Sequence, residues 1–117
     1  MTYLAYTAIF LATGVASGNS PGLVDAYNNR VAGNTELTIT QPPTWCFGGL
    51  SWKNSHYIGE RVLVYKVRDG KIFEVMVVDA AQEKHRGIME RNGIAMDVWG
   101  CPELWGEDVV VYALERK

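Results

Sequence analysis

The apolar residues of this chain recur mainly with a period of two, the spacing of half-buried strands. Six runs carry the pattern: residues 3–15, 36–40, 61–67, 71–78, 93–98 and 108–114. Val, Ile, Thr and Tyr dominate them, which suits a pleated surface packed on one side. The clearest pair is Arg61 to Val67 and Lys71 to Val78, joined by Arg68-Asp69-Gly70. Asp-Gly between two alternating runs predicts an antiparallel hairpin, since both turn residues tolerate positive φ. The run Val75-Met76-Val77-Val78 is too apolar to be solvated on both faces, so the chain is buried as it reaches Asp79.

Two stretches break the period. Ser20-Pro21-Gly22 offers an N-cap with proline at the first helical position, and Leu23, Val24, Tyr27 and Val31 then recur on one face before Gly33. A second helix is expected over 82–91, with His85, Ile88 and Met89 on one face and Asn92-Gly93 as its stop. Six short strands with two short helices predict a mainly β, closed six-stranded barrel, because closure leaves no edge to aggregate. An open α+β sheet is the alternative. A doubly wound parallel fold is disfavoured by the central hairpin and by the lack of a glycine-rich phosphate loop between strand and helix.

The chain's 117 residues suffice for one domain and are too few for two independent cores. A net charge of −2 with scattered Lys and Arg leaves no basic stripe, which argues against nucleic acid as a partner. The apolar run from Tyr3 to Ala16 resembles a signal peptide in composition, but no Lys or Arg precedes it and its Tyr and Thr suit a first strand. It is too short to span a membrane as a helix, for which about 20 apolar residues are needed. Two cysteines, Cys46 and Cys101, make no zinc constellation, and both are expected in loops. They can form one disulfide in an oxidising compartment or stay reduced and partly buried. No metal and no cofactor is expected.

The stretch from His56 to Asp97 carries the candidate chemistry. His56, Gly59-Glu60, the Val-rich hairpin and Asp79 follow one another in an order that resembles the double-psi β-barrel domains of the rare lipoprotein A family, of barwin and of the expansins. Ile94-Ala95-Met96-Asp97-Val98, Cys101-Pro102-Glu103-Leu104-Trp105-Gly106 and the run from Asp108 to Leu114 resemble the later strand, short helix, glycine and closing strand of those domains. The resemblance covers about two thirds of the chain and implies a six-stranded double-psi barrel. The rare lipoprotein A family includes peptidoglycan lytic transglycosylases that use the histidine and the aspartate after the hairpin. In expansins the aspartate of the later strand matters for wall loosening. Carried over, these residues are His56, Asp79 and Asp97. Ala80-Ala81-Gln82 stand where that family has Arg-Gly-Pro, and Val98-Trp99 follow Asp97 where a serine is expected.

A carboxyl group kept partly neutral can donate a proton to a glycosidic oxygen, the chemistry that Asp79 and Asp97 offer. The ordinary alternatives are that a strand-end aspartate caps a turn and that His56 is a solvated loop residue. Of the four tryptophans, Trp45, Trp52 and Trp99 are candidates for stacking on sugar rings, with Trp45 and Trp52 flanking Cys46-Phe47-Gly48-Gly49 as a loop platform. The functional expectation is a glycan-interacting domain, on peptidoglycan or another wall polysaccharide, with lytic transglycosylase-like chemistry. The competing expectation is a non-catalytic binding or structural module of a wall-associated or virion assembly, with a protein partner. Both favour an extracellular, cell-wall or virion setting.

Overall fold

The structure is a computed structural model and describes residues 6–18, 46–81 and 87–116. Its strands are β1 (Tyr6–Ser17), β2 (Cys46–Leu50), β3 (Arg61–Lys66), β4 (Ile72–Ala80), β5 (Ile94–Trp99) and β6 (Asp108–Arg116). They close into a barrel in the order β1, β5, β2, β4, β3, β6. The pairs β1–β5 and β2–β4 run parallel and the other four antiparallel. This closed, mainly β barrel is the architecture that the alternation predicts.

Alternation fills the interior. Val62 and Val64 of β3, Val75 and Val77 of β4, and Val109, Val111 and Ala113 of β6 join Leu11, Leu50, Met96 and Val98 in one core. Each such aliphatic side chain contributes roughly 1.5–3 kcal/mol when fully buried. Lys66 continues the inward series of β3 and is only 4 % exposed. Its ammonium is kept by Asp69 at 3.1 Å and by Glu107 at 3.9 Å, and Arg68 Nε lies 2.8 Å from the same Glu107 oxygen. The buried cation is therefore paired, as burial requires.

The expected hairpin forms, with Arg61 opposite Met76 and Tyr65 opposite Ile72. Its turn is wider than a two-residue Asp-Gly turn: Lys66 N–H donates to Lys71 O at 2.8 Å, which leaves Val67 to Gly70 as a four-residue loop. Only Gly70 takes positive φ, +74°. Asp69 instead accepts from Lys71 N–H at 3.1 Å, and this bond, with Lys66 beside it, holds its carboxyl below the usual carboxylate range.

The main correction concerns Cys46-Phe47-Gly48-Gly49, expected as a loop. It is β2, wholly buried, parallel to β4 on one side and antiparallel to β5 on the other. Gly48 makes this wall feasible, since a Cβ there would sit 2.6 Å from Met96 Cε and 2.8 Å from Val75 Cγ1. Cys46 and Cys101 are joined by a disulfide across Cα atoms 5.4 Å apart, which decides between the two states left open for them. The run 36–40, expected as the second strand, lies outside the described residues, as does the helix expected from Ser20 to Gly33. Of the helix expected over 82–91, the described part is α1 (Ile88–Arg91), stopped as predicted at Asn92-Gly93, with Gly93 at φ +69°. His85 lies outside the described residues. Among the described residues there are also two 3₁₀ segments, Trp52–Tyr57 after β2 and Pro102–Leu104 after β5.

Candidate functional site

Asp79 is aimed by a bulge. Along β4, Val75 and Val77 face inward, and an unbroken alternation would turn residue 79 inward as well. The register with β2 instead jumps from Gly48↔Val77 to Gly49↔Asp79, so Val78 is an extra residue and Asp79 comes level with Gly49. Bulges re-aim side chains in this way and recur beside active sites. On the other side of β2, Gly49 is level with Asp97 of β5, and Asp97 is level with Ser17 of β1. Ser17, Asp97, Gly49 and Asp79 thus form one row across four strands.

At a strand spacing of 4.7–4.9 Å, the two aspartates stand with Cα atoms about 10 Å apart, one on each side of a residue without a side chain. They line one cleft of about 240 Å³, floored by Leu50 and Met89 and bounded by Ala80 and Ile88. Ser17 Oγ donates to Asp97 Oδ1 at 2.5 Å, which fixes the orientation of that carboxylate. Both aspartates are half-buried, so they remain accessible from the cleft. The arrangement presents two oxygen-rich groups to anything that enters over Gly49, with an apolar floor beneath.

The other expected site residues separate. His56 is exposed on the Trp52–Tyr57 segment, its ring 4.1 Å from that of Tyr57, and is not among the residues that line the cleft. Trp99 does not serve as a sugar platform: it is 7 % exposed, and its indole stacks on Phe47 with centroids 6.0 Å apart. Burial of that ring follows from the buried course of β2, which the loop reading of Cys46–Gly49 excluded. Trp52 is half-buried and engaged by neighbours, and Trp45 lies outside the described residues.

Sequence reasoning missed Ser17, Gly49, Ile88 and Met89. Ser17 had no signal, because its partner is 80 residues away in sequence. Gly49 had one, since glycine inside a buried strand marks a close approach or an opening.

A second depression, of about 230 Å³, is lined in part by Glu90 of α1, where Lys53 Nζ is 3.9 Å from Glu90 Oε1. Its residues Phe10 to Thr13 include the β1 bulge at Leu11. Glu90 is held below the usual carboxylate range by a backbone N–H first, and also by the charges of Lys53 and Arg91.

Among the described residues, no group of three or more His, Cys, Asp or Glu is arranged to hold a metal ion, and no helix is long and apolar enough to cross a membrane. No protein-family model, no curated protein and no solved structure matches the chain.

Proposed function

We propose that this chain is a glycan-interacting domain, acting on peptidoglycan or another wall polysaccharide through the Asp79–Asp97 cleft. The observation that carries the reading is the pair of carboxylates on one open cleft, contributed by different strands and separated by Gly49. Cleavage of a glycosidic bond needs a proton for the bridging oxygen and negative charge near the sugar ring as positive charge develops there. Asp79 is assigned the first role and Asp97 the second. Asp79 donates a proton to the bridging oxygen as the C1–O bond breaks. In a lytic transglycosylase-like reaction the C6 hydroxyl of the same sugar closes on C1 and returns a proton to Asp79, so no water is consumed. Ser17 positions Asp97 for the intervening charge.

Two further observations support this reading. β5 and β2 are neighbours, and each pairs parallel on its other side, β5 with β1 and β2 with β4, an arrangement in keeping with a double-psi barrel related to the rare lipoprotein A, barwin and expansin domains. The Cys46–Cys101 disulfide supports an oxidising setting such as a cell surface, wall or virion.

One observation favours the second reading, a non-catalytic wall-binding or assembly module on the same cleft: His56, half of the catalytic pair that the resemblance implies, is not among the residues lining it. Incubation with purified sacculi, followed by mass spectrometry, separates the two. Anhydro-muropeptides that vanish in Asp79→Asn support the enzyme. Retention on sacculi without products, lost in Asp79→Asn or Asp97→Asn, supports the module. Absence of both product and retention refutes the glycan reading.

A further inference from the structure

The second depression is not an isolated hollow. Three elements that build the Asp79–Asp97 cleft supply neighbouring residues to it: Leu50 lines the first and Ser51 the second, Met89 the first and Glu90 the second, Asp97 the first and Ala95 the second. Two residues along β5 correspond to about 7 Å, comparable to one pyranose unit of an extended chain. The linings are thus one residue apart at Leu50–Ser51 and at Met89–Glu90, and two apart along β5.

The chemistry of the second hollow differs from that of the first. Phe10 is 58 % exposed at its edge, and among the described residues its ring meets Tyr112 edge-on at 6.3 Å between centroids. Its ring leaves a face open to solvent beside the hollow. Lys53 and Glu90 stand beside it as a loose ion pair at 3.9 Å, both largely solvent-exposed, so each keeps hydrogen-bonding capacity for a third group. An aromatic face beside charged donors and acceptors suits a sugar ring, whose C–H face stacks while its hydroxyl and amide substituents bond at the rim.

We propose that the two hollows are successive subsites of one groove for an extended glycan, with Phe10 as the stacking residue and Lys53 and Glu90 as the polar rim. The inference rests on the glycan reading of the cleft and adds that the ligand is a chain longer than the cleft holds. It moves the aromatic platform from the tryptophans to Phe10.

The test is isothermal titration with β-1,4-linked N-acetylglucosamine oligomers, a dimer and a pentamer. The pentamer binds the native protein about tenfold more tightly than the dimer, the worth of one additional aromatic contact with its rim bonds. Phe10→Ser and Lys53→Gln bring the affinity for the pentamer down to that for the dimer, while their thermal midpoints stay at the native value because both side chains are exposed. Asp97→Asn weakens both oligomers. Equal affinity for dimer and pentamer in the native protein overturns the continuous groove and leaves the cleft reading standing. Loss of length dependence in neither Phe10→Ser nor Lys53→Gln also overturns it. If Asp79→Asn and Asp97→Asn bind both oligomers as the native protein does, the cleft reading itself fails.

Discussion

Reduction of the Cys46–Cys101 bridge offers a clean perturbation, because it changes no side-chain volume. The bridge closes a loop of 55 residues and ties β2, which carries Gly49, to the turn after β5, which carries Asp97. In the chain-entropy account the constraint on the unfolded ensemble grows as 1.5R ln n plus a constant, which for a loop of this length amounts to about 4 kcal/mol at 25 °C. A domain of this size has an unfolding entropy of about 0.25 kcal/mol/K, so the thermal midpoint falls by about 15 °C on reduction. Urea unfolding with and without dithiothreitol, followed by tryptophan fluorescence, measures the difference. The reduced chain also gains a steeper urea dependence, since its unfolded state exposes more surface. A reduced protein within about 1 kcal/mol of the oxidised one, with unchanged slope, would refute the reasoning and mean that the bridge adds nothing beyond the native packing around it.

Two other outcomes follow from the packing and the charges. Trp99→Ala lowers stability by about 3–5 kcal/mol through the cavity left against Phe47, measured by urea unfolding, and a loss under 1 kcal/mol would contradict the buried placement of this ring. Asp69 and Glu90 have folded pKa values below their unfolded ones, so their contribution is complete above the ordinary carboxylate range, about 4, and is lost as the pH falls through the depressed folded values. Asp69→Asn and Glu90→Gln should each flatten the acid limb of the urea midpoint plotted against pH. Tyr57 is raised by burial first and then by its bond to Glu115, so the unfolded chain ionises before the folded one above about pH 10 and stability falls there. Tyr57→Phe should remove that alkaline loss.

What could be read from the chain alone was whatever depends on neighbours in sequence. The alternation of β3 and β6, the hairpin across Asp69-Gly70, the stop at Asn92-Gly93 and the position of Asp79 at the end of a buried run are all local patterns, and periodicity reports them because side chains on a strand point alternately to two faces. Tertiary structure decided the remainder. Cys46-Phe47-Gly48-Gly49 reads as a loop because two adjacent glycines have low strand propensity, and it is a strand only because β4 and β5, more than twenty residues away, pair with it on both sides. The bulge at Val78 turns Asp79 outward, Ser17 reaches Asp97 across 80 residues, and Trp99 is buried by a wall not visible as a wall in the sequence. Local composition fixes which residues prefer an extended chain, whereas register between distant strands fixes which side chains meet, and here the candidate site is a matter of register.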